Sequence, residues 1–363
     1  MRTLEKLSIR NFKSIREQTL DLGALNVFIG GNGSGKSNLV EVFRFLREIV
    51  DQNLGGYTAM KGGADALLHF GRKVSPSMTI GLVFGETETS NSYEVTLTGT
   101  PADELIVSRE ASHYHERLKY QQPHHNRISY GSKESKLRTD DDISARQVTR
   151  DLESYRIYHF HDTSGSAPMR GANDVDDNRF LRPQAENLAA FLYWLQEKQP
   201  AHMANIQGTI RQIAPFFDRF RLAPLKLNPS KIRLEWQEKG TDTYFNASAL
   251  SDGTLRFICL ATLLLQPALP PLLLLDEPEL GLHPAAITLL AALLDSASTR
   301  TQVMIATQSV TLVNQFEPVK VWTVDREGHE SVFRHLSEEK MTGWLDDYSL
   351  GDLWEKNVIG ARP

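Results

Sequence analysis

The sequence predicts an α/β fold with a parallel sheet at its centre, and three stretches carry that prediction. An apolar run, "LNVFI" (25–29), feeds a glycine-rich turn and then an amphipathic segment, "KSNLVEVFRFL". A second apolar run, "LLLLD" (272–276), ends in carboxylates. Strand and helix patterns alternate through the last third, with "VMIAT" (303–307) as another short apolar run, the pattern of parallel strands joined by helical crossovers.

Taken in order, Leu4 to Ile9 and Leu25 to Ile29 read as strands, and a helix starts at Gly35. Residues 78–107 alternate in "MTIGLVFG" and "SYEVTLTG", which predicts an antiparallel meander. Residues 109–150 are polar, with both charge signs, and read as exposed strands and loops. "YRIYHF" (155–160) is a further strand, and 184–222 turns helical in "AENLAAFLYWLQEK" and "MANIQGTIRQIAPFF". The strands "IRLEWQE" and "TYFNASAL" follow, then a helix from Thr254, a strand to Leu275, a helix near 284–295 and a strand at Val303 to Ala306.

The 363 residues carry a net charge of -5, are 40% hydrophobic and include one cysteine. That supports a sizeable core. Cys259 has no partner for an internal disulfide, so a reducing, cytoplasmic setting is expected. "MRTLEKLSIRNF" does not read as a signal peptide, and "PALPPLLLL" is short and broken by prolines, so no membrane is expected as a partner. The mildly acidic balance argues against coating nucleic acid by bulk charge; DNA binding is not signalled by it.

Gly30-Gly31-Asn32-Gly33-Ser34-Gly35-Lys36-Ser37 fits G-x-x-x-x-G-K-[ST] between a strand and a helix. Glycines let successive backbone N–H groups turn toward one anion, and the helix N-terminus adds its dipole. Lys36 would bridge the β- and γ-phosphates of ATP, and the Ser37 hydroxyl would ligate Mg²⁺. At the end of the leucine strand, Asp276 suits Mg²⁺ and Glu277 is placed to take a proton from an attacking water. In "ALSDGTLRF", Ser251 and Gly253 open an apolar helix; they form either an anion cap or a plain N-cap.

Together "NFKSIRE", "GGNGSGKSNL", "LSDGTLRF" and "LLLLDEPELGLHP" resemble the SMC/RecF/OLD branch of ABC-type ATPases, and more narrowly compact bacterial AAA-type, RecF-like ATPases. The resemblance implies one ABC-type P-loop head in two lobes: lobe I over about 1–170 with a polar β-rich insertion at about 75–150, a helical insert at about 184–222, and lobe II at about 223–363. It implies that Gly30 to Asn38 hold the nucleotide, that Ser251 to Thr254 reach the γ-phosphate held by a second copy, and that Leu282 and His283 lie where the dimer-contacting loop lies. Lys13 matches a basic position that approaches the phosphates. The implied function is a dimeric ATP-hydrolysing switch that regulates a separate protein effector, such as a nuclease, in genome maintenance or phage defence. A RecF-like DNA-repair ATPase and a scaffold with negligible turnover are the alternatives.

Several features depart from the family pattern. Gln308 stands where a histidine is usual, so turnover is expected to be slow or tuned by a partner. Asp252 puts a carboxylate in the signature, tolerable if it points away from the incoming anion. No coiled-coil arm and no nuclease signature are expected. His159 and His161 read either as a link to Mg²⁺ or as strand-end decoration; "HYH" (113–115) and "HH" (124–125) read as exposed polar strand rather than a metal site. Arg211, Arg219, Arg221, Lys226, Lys231 and Arg233 form a basic cluster that is either a phosphate-backbone contact or a solvated face. The C-terminal "WLDDYSLGDLWEKNVIGARP" is either a docking surface or a return onto the core.

Overall fold

The computed structural model describes residues 2–85, 88–337, 341 and 343–362. Two six-stranded sheets organise it. The first is antiparallel, in the order Ile15–Asp21, Thr3–Phe12, Ser77–Gly85, Thr89–Gly99, Leu105–Glu116 and His124–Ser129. The second runs Glu330–His335, Val321–Glu327, Leu25–Ile29, Gln302–Thr307, Leu272–Asp276, Arg156–Tyr158; only Glu330–His335 is antiparallel to its neighbour. This parallel sheet therefore takes strands from both ends of the chain.

Alternation along its strands shows why "LLLL" carries no polar residue. Leu272 and Leu274, with Phe28 and Met304, join the cluster shared by the helix Lys36–Val50 and the antiparallel sheet. Leu273 and Leu275, with Val27, Ile29, Val303 and Ile305, join the cluster of the helices Leu188–Lys198, Asp252–Leu265 and Pro284–Ser298. Both faces are covered, so every position in the strand is apolar. Each buried leucine contributes about 1.5–3 kcal/mol relative to exposure.

The helix Lys36–Val50 is threaded between the sheets. Leu39, Val42, Phe43, Leu46 and Val50 recur at helical spacing and are buried. It begins at Gly35 with φ of 117°, a left-handed position that glycine adopts without strain. The carboxyl ends of Leu25–Ile29, Gln302–Thr307 and Leu272–Asp276 lie side by side, which brings the glycine loop, Gln308 and the carboxylates to one edge.

The polar stretch read as exposed strands and loops over 109–150 ends differently. Residues Ile143–Ser154 form a helix, N-capped by Asp142, which accepts from the Ser144 N–H, with Ala145, Val148 and Leu152 buried. Three apolar residues suffice because the helix only covers the flank of the antiparallel sheet and the helix Lys36–Val50. The strands of 77–129 continue the N-terminal hairpin as one sheet. In the C-terminal segment, Ser349 and Asp352 form a capping box for the helix Leu350–Glu355, whose Leu353 and Trp354 are buried, whereas Trp344 and Tyr348 stay partly exposed and touch each other. Among the described residues no helix is long and apolar enough to cross a membrane.

Candidate functional site

The loop between Leu25–Ile29 and the helix Lys36–Val50 is a fitted cradle. A Cβ at Gly30 would stand 2.3 Å from the Val324 carbonyl oxygen, and one at Gly35 would stand 2.0 Å from Ser331 Oγ. Gly33 adopts φ of 77°. Ser331 is held by the Ser14 hydroxyl at 2.6 Å and donates to the Ser34 carbonyl, while Asn38 Nδ2 donates to Ser14 at 2.7 Å. The helix has no side-chain N-cap, so its first N–H groups are left for an outside acceptor. Ser34 Oγ is buried without a partner. The Lys36 ammonium donates to the carbonyls of Gly30 and, at 3.1 Å, Gly31. Burial pulls its pKa below the usual lysine value; Glu277, Asp276 and Glu279 pull it back. These groups fit a triphosphate: unused donors, one orphaned hydroxyl and a cation resting on loop carbonyls. Asn32 and Ser37 are exposed at the loop's mouth.

Across the sheet edge, Asp276 has its pKa raised by burial and then by neighbouring Glu277. A divalent cation would relieve both effects, and Ser37 and Asp276 are the residues suited to hold it. Glu277 has φ of 44°, a strained conformation for a non-glycine residue, anchored by its N–H to the Ala306 carbonyl at 2.8 Å. Gln308 Nε2 donates to Glu277 Oε1, and its backbone N–H donates to Glu279 Oε1 at 3.3 Å. Glutamine is thus a neutral donor that fixes the Glu277 carboxylate in place.

The signature element is elsewhere on the surface. Ser251 caps the helix Asp252–Leu265, accepting from Thr254 N–H at 3.2 Å. Asp252 is ion-paired with the buried Arg170 at 2.8 Å. A Cβ at Gly253 would stand 2.6 Å from the Gly281 carbonyl oxygen, so the helix start packs directly on "LGLH". In that segment Leu280 is 47% exposed, and His283 caps the helix Pro284–Ser298.

Other residues singled out in the sequence find ordinary partners. Lys13 is ion-paired with Glu41, which also takes Lys61 at 2.8 Å and the Tyr57 hydroxyl at 3.0 Å. His161 donates from Nε2 to the Asp276 carbonyl at 2.9 Å. His159 accepts from Arg44 at 2.8 Å; burial, His161 and Arg44 press its pKa down to about 4, so it is neutral at physiological pH. In the basic cluster Arg211 binds the Asp218 carbonyl, Arg219 pairs with Asp218, Lys231 with Asp174 and Arg233 with Glu235. His113 and His125 meet across two strands at 2.6 Å. Among the described residues, no group of three or more His, Cys, Asp or Glu side chains could hold a metal ion.

The family model described as "AAA domain, putative AbiEii toxin, Type IV TA system" matches residues 25–314. The chain belongs to this family. Among curated proteins, the DNA replication and repair protein RecF of Renibacterium salmoninarum is 36% identical over 81 residues, 22% of this chain and 20% of that protein. The chromosome partition protein Smc of Methanocaldococcus jannaschii is 45% identical over 47 residues, 13% of this chain and 4% of that one. The chain therefore matches only a small part of either relative's length. Among solved structures, an Smc head bound to the C-winged helix domain of ScpA superposes with a TM-score of 0.60 at 18% identity, covering 93% of this chain and 98% of that one. The Smc head bound to the C-terminal domain of ScpA derived from Pyrococcus furiosus gives 0.59 at 17%, covering 96% and 99%. Fold and family make the chain a P-loop ATPase of the SMC/RecF type.

Sequence reasoning passed over Glu279, Arg170 and Arg256. Glu279 is buried, its pKa raised by burial, and it holds Thr307 and Gln308. Arg256 donates to the carbonyls of Phe160, His161 and Leu280, tying the signature helix to both flanking loops. Arg256 was findable: a lone charge inside "TLRFICLATLLL" signals a buried, fully bonded cation. Arg170 lies in a glycine-rich loop with no periodic pattern to mark it.

Proposed function

We propose that this ATPase is a Mg²⁺-dependent, homodimeric switch that binds and hydrolyses ATP and regulates a separate protein effector. One observation carries the reading: the chain holds an uncapped, cation-bearing anion cradle at Lys36 and a second, self-capped helix start at Ser251 that shares no hydrogen bond with it among the described residues. The second element serves a phosphate only if another copy brings one. Exposed Leu280 beside it is suited to an interface between copies.

Within each site Gly30, Asn32, Gly33, Ser34, Gly35 and Asn38 line the phosphates. Lys36 moves from the loop carbonyls to the β- and γ-phosphates. Ser37 and Asp276 would hold Mg²⁺, which would supply charge neutralisation to the phosphates; Glu277 is placed to receive the proton of the attacking water, and Gln308 orients Glu277. Ser251 and Gly253 of the second copy close over the γ-phosphate. Lys13 reaches the phosphates only by exchanging its Glu41 partner.

The effector is proposed as protein because two similar Smc heads are described in complex with ScpA domains, whereas the basic cluster suited to DNA is largely occupied by its own carboxylates and carbonyls. The toxin–antitoxin description of the family is in keeping with a defence-linked role. Mixing Lys36→Ala with Ser251→Arg chains tests the dimer. Each alone is expected to be inactive, and heterodimers with one intact composite site should restore about a quarter of the activity. Full activity of either variant alone, or no recovery on mixing, overturns the composite site. Steady-state turnover indistinguishable from zero in the parent would favour a nucleotide-dependent scaffold.

A further inference from the structure

A cleft of about 580 Å³ opens beside the helix Lys36–Val50, away from the glycine loop. Its wall brings together Arg44 and Arg47 from that helix, Lys61, and Arg156 from the edge strand of the parallel sheet. Arg47 is paired with Asp51 and Lys61 with Glu41. Arg44 and Arg156 are different: their hydrogen bonds go to His159 and to the carbonyls of Glu153 and Tyr155, and neither forms an ion pair with a carboxylate among the described residues. Two guanidiniums with donors to spare thus face one cavity, beside a neutral histidine. Glu48 is the one carboxylate in the lining.

The rest of the wall is aromatic. Phe180 is 47% exposed and lies 5.1 Å from the Arg156 guanidinium, on which its ring is stacked. Tyr155 lines the same cleft and has a buried hydroxyl without a hydrogen-bond partner. Planar guanidiniums match phosphate by paired N–H donors, and exposed aromatic rings offer a face for a flat base. The volume lies in the range of small-molecule sites.

We propose that this cleft is a second ligand site, separate from the triphosphate cradle, that binds a nucleoside monophosphate. The phosphate is held by Arg44 and Arg156, and the base lies against Phe180. The site shares the helix Lys36–Val50 with the glycine loop, and Arg44 also holds His159, two residues from the His161 that caps the Asp276 carbonyl.

The test is calorimetric titration of the full chain with AMP. Expected is saturable binding of one AMP per chain that persists in Lys36→Ala, weakens about tenfold or more in Arg156→Ala, and weakens several-fold in Phe180→Ala. Phe180 is half exposed, so that variant keeps the fold intact, whereas Arg156→Ala also removes bonds to the Glu153 and Tyr155 carbonyls. The proposal is overturned if AMP does not bind at millimolar concentration or if binding vanishes in Lys36→Ala, which would place it on the glycine loop. It is equally overturned if Phe180→Ala and Arg156→Ala both bind like the parent, or if inorganic phosphate binds as tightly as AMP.

Discussion

The helices that begin at Lys36 and at Asp252 both point an N-terminus at the surface, and they satisfy it in opposite ways. At Lys36 no side chain caps the helix, glycines leave the backbone N–H groups uncovered, and the lysine amine rests on loop carbonyls. At Asp252 the Ser251 hydroxyl already fills the cap, and the neighbouring carboxylate is held aside by Arg170. An uncapped end is poised for an anion by itself. A capped end gains from an anion only when one is delivered in fixed geometry, because the incoming oxygen must compete with an existing hydrogen bond. On the proposed reading, the same chemistry serves primary binding in one place and recognition of an already bound phosphate in the other.

The sharpest way to break this contrast is to remove the lysine. Lys36→Ala should weaken ATP binding by about a hundredfold or more, because a buried cation that meets phosphate has no substitute among the loop's neutral donors. Ser251→Ala should leave the affinity of a single chain within about twofold while turnover collapses; equal losses of affinity in both variants, read by fluorescence titration, would erase the distinction. Of comparable size, Glu277→Gln should lower turnover by about 10²–10⁴-fold with ATP binding retained, the signature of a lost general base. Retained turnover in a single-turnover assay would move the base elsewhere.

A smaller effect is expected at the signature. Arg170→Ala frees the Asp252 carboxylate to face the incoming phosphate, so turnover should fall about three- to tenfold, more at low salt, and Asp252→Gly in the same chain should restore it. Failure of that rescue would mean that Arg170 acts through the loop carbonyls of Ala247 and Leu250 that it also binds.

The smallest effect concerns pH. Burial and Glu277 raise the Asp276 pKa, so its contribution to stability is present below the ordinary carboxylate range and is lost as pH rises through the raised value. With metal and nucleotide stripped by chelator, Asp276→Asn should therefore raise Tm by about 2 °C at pH 7, and the gain should shrink as pH falls toward 4. In Mg²⁺ and ATP the order should reverse, since only the aspartate is repaid by the cation. A variant that melts lower than the parent at pH 7 in chelator would contradict the burial argument.

Much of this was legible in the sequence because it is local. The strand–glycine–helix spacing around Lys36, the leucine strand ending at Asp276 and the apolar helix after Ser251 each follow from short-range pattern. Less legible was anything that depends on who faces whom. The helix Ile143–Ser154 has only a narrow apolar stripe, so its polar residues masked it until the antiparallel sheet supplied a flank to cover. The family pattern points Lys13 toward phosphate, and only the fold shows that its amine is paired with Glu41, 28 residues along the chain.

Gln308 marks the boundary between the two kinds of knowledge. Sequence alone established that a neutral amide follows "VMIAT", because identity and distance from the strand are local facts, and the family resemblance implies that a histidine is usual there. Only the fold showed that this amide donates to Glu277 and that its backbone rests on buried Glu279, since parallel strands from 272–276 and 302–307 had first to lie side by side. Chain order set which groups exist and on which element each rides. Burial on both faces of one sheet, a long-range property no short window contains, decided which of them meet.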